Sequence, residues 1–457
     1  MIVSKFNDVL FFIITSIFII ADSFLLDNTL STTKFIELQL VLVWSVAFYK
    51  SYKKFGIFNI FTLLMVTTFI FGVGAIFHFL FSSDDIRILD RGFGHFTFSY
   101  YTIQVAICAY TVFVLLSYLT YSHFYKKSAE TEPTDFPDTN QFYLDLGRLL
   151  MKVFLVIVLY KGYLFFNAFN GNRVLIYLGG TIDTPIPTWV RFFSTFFEVG
   201  YYFVLASKPP RKVFNTYSLL YMAELIPGIL IGNRGSFGAF ICVFFWYTWK
   251  TYHKLILPQK YIILLGIAML FIFQLMEFIR DGFVAEDGFS ITRFLVGQGV
   301  SFYILPLYID YAHNIQYYLY PFILYGILAG FSGYTGQSIE CLQHKCGVGH
   351  QLMYAVNPEY YLMGASFGSS CVTELYDLGK VGFVLGSIFF GYMVFWVDKK
   401  IDTKIFWRFA AFFILSNLLL APRGMFFPSF YFLVKYYIFF RASSMLYKLV
   451  YKKKTVK

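Results

Sequence analysis

Met276-Glu277-Phe278-Ile279-Arg280-Asp281-Gly282 opens, and Gly364-Ala365-Ser366-Phe367-Gly368-Ser369-Ser370-Cys371-Val372-Thr373-Glu374-Leu375-Tyr376-Asp377-Leu378-Gly379-Lys380 closes, the one long excursion between two strongly apolar halves. On either side, apolar residues come in runs of roughly 17–25, the length that crosses ~30 Å of hydrocarbon. The chain of 457 residues is 58% hydrophobic and only 14% charged, with a mean hydropathy of +0.63. A soluble chain carries about 25% charge. The composition therefore excludes a soluble multidomain enzyme and predicts a polytopic membrane protein. A net charge of +11 would point to nucleic acid in a soluble protein. Here it resides mostly in loops on one membrane face, and no nucleic-acid partner is expected.

Along the chain, about twelve spans of membrane-crossing length fall near 8–27, 35–49, 56–81, 98–121, 148–168, 189–207, 214–232, 236–252, 261–278, 378–397, 405–421 and 429–447. No small-residue cleavage site follows the first apolar run, so it reads as a span and not a removed signal. With a cytoplasmic N-terminus, the inner connections are 50–54, 126–140, 208–212, 250–260, 398–404 and the tail 448–457. Together with Lys5 they hold about twenty of the 37 basic residues, as the positive-inside rule requires. The predicted fold is all-α and polytopic, with both termini cytoplasmic and one large external loop. Spans one to nine occupy 1–278, the loop with partly helical, interfacial segments 279–377, and spans ten to twelve with a basic tail 378–457. Within the loop, 294–311 and 317–331 are apolar but interrupted by Gly297, Gln298, Gly299, Pro306, Asp310, His313, Asn314 and Pro321. Either both cross or neither does, because a single crossing would put the lysine-rich tail outside. The 60 Phe and 37 Tyr belong mainly to lipid-facing and interfacial packing.

Three arginines run against the charge bias. Arg234 lies in Gly232-Asn233-Arg234-Gly235, Arg280 follows span nine, and Arg423 lies in Ala421-Pro422-Arg423-Gly424. All three fall in external turns beside glycine, which admits close backbone approach. Guanidinium forks at one depth suit a multiply charged anion such as a pyrophosphate. Snorkelling to headgroups or pairing with loop acids is the competing account. Glu374 and Asp377 are spaced i,i+3 and would share a helix face. They read either as an acid–base pair or as carboxylates complementing a helix start. His350, in Gly347-Val348-Gly349-His350-Gln351, is a lone candidate base. Glu198 and Glu224 fall inside spans, where a carboxylate is costly and needs an internal partner. Cys341 and Cys346 could close a small disulfide loop in an oxidising compartment. No HExxH or DxD-type pattern appears, so no metal is expected. There is also no GxxxxGK[ST] and no regular series of intramembrane charges.

The Gly-Asn-Arg-Gly turn at 232–235, the stretch from Gly364-Ala365-Ser366-Phe367 to Thr373-Glu374-Leu375-Tyr376, the following Gly379, Gly382 and Gly386, and the many-span layout together resemble the bacterial O-antigen polymerases of the Wzy type. The Arg-x10-Gly pattern of some members does not start at Arg234 or Arg280. The resemblance implies a multi-pass protein of the inner membrane with its active site facing the periplasm. It implies that undecaprenyl-pyrophosphate-linked oligosaccharide serves as donor and as acceptor, with the bilayer and a chain-length regulator as further partners. It implies no cofactor, because the leaving group is the lipid pyrophosphate. Arg234, Arg280 and Arg423 would hold that pyrophosphate. Glu374 would take the proton of the attacking hydroxyl, with His350 or Asp377 as alternatives. Tyr334, Tyr354, Tyr360 and Tyr361 would stack on sugars. An O-antigen ligase shares the carrier and the membrane face. A lipid-linked oligosaccharide flippase would instead call for charges along the middle of several spans and two similar halves.

The topology has a direct test. In a background lacking the native cysteines, an impermeant thiol reagent applied to the periplasmic face should label Ser338→Cys and leave Ser128→Cys unlabelled. The reverse pattern would overturn the scheme.

Overall fold

The computed structural model describes residues 11–17, 26–91, 94–125, 139–169, 186–230, 234–252, 291–334, 337–344 and 347–452. Among these, four helices are long and apolar enough to cross a membrane: Leu30–Phe55 (α1), Ile60–Phe81 (α2), Tyr100–Phe124 (α3) and Gly379–Thr403. The chain is a multi-pass helical protein. Between α1 and the last of these four come Gln141–Phe169 (α4), Thr188–Ala206 (α5), Arg211–Leu230 (α6) and Arg234–Tyr252 (α7), and then the loop region with Ile291–Gln298 (α8) and Val300–Tyr311 (α9). Cys371–Tyr376 (α10) leads into Gly379–Thr403 (α11). Gly379 takes φ +73°, a left-handed turn that lets the chain change direction between the two. Ala411–Leu420 (α12) and Phe430–Lys452 (α13) close the chain.

Helix ends follow sequence signals. Thr29, Asn59 and Ser99 cap α1, α2 and α3 with side chains that accept from Thr32 N, Phe61 N and Thr102 N. Lys53 and Lys54 lie in the last turn of α1, where cations complement the helix dipole. The core is strongly aromatic, with Tyr110, Phe113, Tyr118, Tyr121, Tyr201, Tyr202 and Phe203 all essentially inaccessible.

Three details of the architecture differ from or add to the expected spans. The region 405–421 is not one helix: Ile405–Phe409 and α12 are separated at Ala410 and followed by a 3-10 turn, Ala421–Arg423. The segment Phe322–Phe331 is a run of short helical turns, and at ~1.5 Å per residue ten residues cannot cross ~30 Å. Beside the helices stands a two-stranded antiparallel hairpin, Ile88–Arg91 (β1) with Gly94–Thr97 (β2), in the register Leu89 opposite Phe96. Its Phe96 packs edge-on against Phe367 and Tyr311, so it supports the loop region. Span 261–278, most of 8–27, Arg280 and Cys346 lie outside the described residues.

The two ends of the bundle differ chemically. At one, Lys250 pairs with Asp398 and, at 3.0 Å, with Asp402. The Tyr121 hydroxyl lies 3.2 Å from Asp398 and 3.1 Å from Asn59, and Lys54 reaches Ser122 O. At the other end lie α8 to α10 and the Arg423 turn. Within the helices, Lys161 meets Glu224 at 2.7 Å, and Glu198 accepts from the Tyr202 and Tyr436 hydroxyls. Both carboxylates, expected within spans, thus have internal partners, as a carboxylate in lipid would need.

Helices α4 and α5 cross at a pair of glycines. A Cβ on Gly147 would lie 2.6 Å from Gly200 O, and one on Gly200 would lie 2.9 Å from Met151 and 3.0 Å from Gly147 O. Close backbone approach at small residues is how membrane helices associate without a hydrophobic driving force. Gly200→Leu should therefore cost ~1–3 kcal/mol through overpacking. It should lower the melting temperature and membrane level of the purified protein. An unchanged melt would refute the close crossing.

Candidate functional site

Arg423 ends a short 3-10 turn that begins where α12 stops. Pro422 sits in its first turn, where a missing N–H costs nothing, and Gly424 N closes it on Ala421 O at 3.1 Å. The Arg423 side chain is exposed. Its Nη1 donates to Gln298 Oε1 at 2.6 Å, and its guanidinium carbon stands 5.5 Å above the ring of Phe71. Both partners occupy irregular backbone. Phe71 belongs to a π-helical turn, Phe69–Val73, inside α2, a feature frequent at functional sites. Gln298 is the last residue of α8, and Gly299 follows it. A Cβ at 299 would fall 2.4 Å from the Ala75 Cβ, so only glycine lets the α8–α9 junction lie on α2 and bring Gln298 to Arg423.

Arg234 is the first residue of α7. The Cβ position of its neighbour Gly235 lies 3.8 Å from the Leu420 side chain, one turn before Arg423. The α7 N-terminus and the Arg423 turn are therefore adjacent at one end of the bundle, and the Arg234 side chain itself lies outside the description. Arg87, another arginine near this end, is forked onto Asp85 at 2.6–3.0 Å and stacks 4.1 Å over Tyr100.

Glu374 is buried completely. Its Oε2 accepts from Phe426 N at 2.8 Å and its Oε1 from Ser369 Oγ at 2.7 Å. Burial pushes its carboxyl up to about 8 against these two hydrogen bonds. Asp377 turns to a different segment despite its i,i+3 spacing. It is half-buried and accepts from Tyr308 Oη at 2.6 Å, Tyr318 Oη at 2.9 Å and Phe322 N at 2.9 Å. Burial, followed by the Asp377 carboxylate, holds the Tyr318 hydroxyl above its ordinary range.

His350 sits at the start of Val348–Val356. Its Nδ1 lies 3.1 Å from Gln337 Nε2, whose other bond goes to Ala365 O at 3.0 Å. An amide nitrogen bonded to a carbonyl is a donor, so Nδ1 accepts and Nε2 carries the ring proton. The next residue, Gln351, donates to Tyr317 O and Leu342 O, which links this helix to the segment that binds Asp377. Of the loop tyrosines, Tyr361 is core, with its hydroxyl on Ser338 O. Tyr334 is exposed and stacks on His344 at 4.4 Å. Among the described residues no three of His, Cys, Asp and Glu gather as metal ligands do.

The structure thus joins Glu374 to the Arg423 turn and sets α7, with Arg234 at its head, beside that turn. Asp377 and His350 belong to a separate, connected patch. Sequence reading missed Gln298, Phe71, Ser369, Tyr308 and Tyr318. Gln298 carried a usable signal: a polar residue flanked by two glycines in an otherwise apolar segment.

A family model described as O-antigen polysaccharide polymerase Wzy matches residues 8–455, nearly the whole chain. No curated protein and no solved structure matches.

Proposed function

The chain belongs to the Wzy family of O-antigen polysaccharide polymerases, and on that premise we propose that it transfers a growing glycan from undecaprenyl pyrophosphate to a lipid-linked repeat unit at the periplasmic face of the inner membrane. The observation that carries this reading is the presented Arg423 guanidinium, held edge-on by Gln298 and face-on by Phe71 beside the α7 N-terminus. A helix N-terminus and guanidinium forks both favour phosphate oxygens. Arg234 and Arg280 complete the anion site in this proposal. Charge grows on the pyrophosphate as the glycosidic bond to it breaks, and preorganised donors stabilise that charge without reorganising. The acceptor hydroxyl attacks the anomeric carbon and gives up its proton. Asp377 is our choice of acceptor for that proton, because its carboxylate is half-exposed and bonded to the exposed Tyr318. The resident partners are the two lipid-linked glycans and the bilayer, with a chain-length regulator acting on the product.

Deleting the gene and resolving the lipopolysaccharide on a gel tests the function. A polymerase loss leaves core plus one repeat unit. Bare core would mean a ligase, and absence of any surface unit a transporter. The anion site has its own test. Arg423→Lys keeps the charge and loses the fork, and should lower kcat/KM for the donor about ten- to hundredfold, the loss of one charge-assisted hydrogen bond. Gln298→Glu should impair donor use more than Gln298→Met, because a carboxylate at that distance neutralises the guanidinium. Normal ladders from Arg423→Lys at normal protein level would remove Arg423 from the site.

A further inference from the structure

We propose that Glu374 is a positioning residue, whose buried carboxyl holds the Arg423 turn in the shape that presents the guanidinium, and not the group that takes the acceptor's proton. The inference rests on the anion-site reading and goes beyond it by assigning the residue that sets the site's shape.

A general base must come within hydrogen-bond reach of the proton it removes. Glu374 has no exposed surface from which to reach a substrate, and its oxygens accept from Phe426 N and Ser369 Oγ. Those two bonds show what it does instead. Phe426 N lies beyond the end of α12 and the 3-10 turn, before α13 begins, so no helix ladder supplies it with an acceptor. The Glu374 carboxyl supplies one. Only Gly424 and Met425 separate Phe426 from Arg423, so anchoring this N–H fixes the backbone that carries the guanidinium. The Phe426 ring is buried against Phe390 at 5.3 Å and Phe389 at 6.2 Å, which secures the far side of the same residue. The carboxyl is itself held from behind: Ser369 binds Oε1, and Ser370 meets the buried Tyr110 hydroxyl at 3.2 Å.

The latch and base roles separate on substitution. Glutamine keeps a carbonyl oxygen for Phe426 N–H and an amide that can donate to Ser369, but it cannot act as a base. Leucine keeps the bulk and loses both bonds. Kinetics would be measured on purified protein in lipid vesicles, with lipid-linked repeat units as substrate and melting temperature as a check on folding. Glu374→Gln should stay within about threefold of wild type in kcat and KM, whereas Glu374→Leu should raise KM for the donor about tenfold. Adding Glu374→Leu to Arg423→Ala should cost little beyond Arg423→Ala alone, because both act through one guanidinium. A loss of ~10²–10⁴ in kcat for a folded Glu374→Gln protein would establish a base and overturn the proposal. Wild-type kinetics for Glu374→Leu would also overturn it. If Glu374→Leu fails to accumulate, the glutamine variant alone decides between latch and base. Normal turnover by Arg423→Ala would instead strike the anion-site reading, whatever the Glu374 variants do.

Discussion

One hydrogen bond, from the backbone N–H of Phe426 to the buried carboxyl of Glu374, joins the end of the loop region to the turn between the last helices. A backbone N–H buried without a partner costs ~1–3 kcal/mol. The chain meets this demand with a side chain from fifty-two positions earlier. In doing so it fixes the relation between two segments that sequence alone leaves independent. The arrangement around Arg423 follows from that tie, together with the Gly299 contact that brings α8 and α9 onto α2.

Much of the helical framework was legible because membrane helices announce themselves by composition. The run read as 98–121 is Tyr100–Phe124, and 189–207 is Thr188–Ala206. Caps at Thr29, Asn59 and Ser99 follow from residue type. What composition could not give was irregular backbone. The π-turn at Phe69–Val73 lies in an unbroken apolar run, and nothing local distinguishes it from ordinary helix. Ala410, where 405–421 breaks, is a strong helix former whose context overrides its propensity. The β1–β2 hairpin is short, and its pairing is set by the two apolar contacts of Phe96 more than by any alternation of residues.

The site was legible in its residue types but not in its wiring. Arg423 stood out because a cation beside glycine in a turn expected to be external opposes the charge bias. Its partners did not, since Gln298 lies 125 residues away and Phe71 is one of 60 phenylalanines. The i,i+3 spacing of Glu374 and Asp377 suggested one shared face and a joint task. In the structure α10 ends at Tyr376, and the two carboxyls serve different segments, Phe426 for one and Tyr308, Tyr318 and Phe322 for the other. Spacing fixes a face only while the helix lasts.

This division has a chemical consequence. The proposed transfer needs strong stabilisation of the departing pyrophosphate and only modest help for the attacking hydroxyl, since that leaving group is already a good one. A fold that spends a buried carboxyl on holding an arginine in place, and leaves Asp377 half-exposed among tyrosine hydroxyls, matches that order of needs. Arg423 has the amide of Gln298 and the face of Phe71 among its partners. Arg87 is forked onto Asp85, a carboxylate partner that neutralises the cation locally.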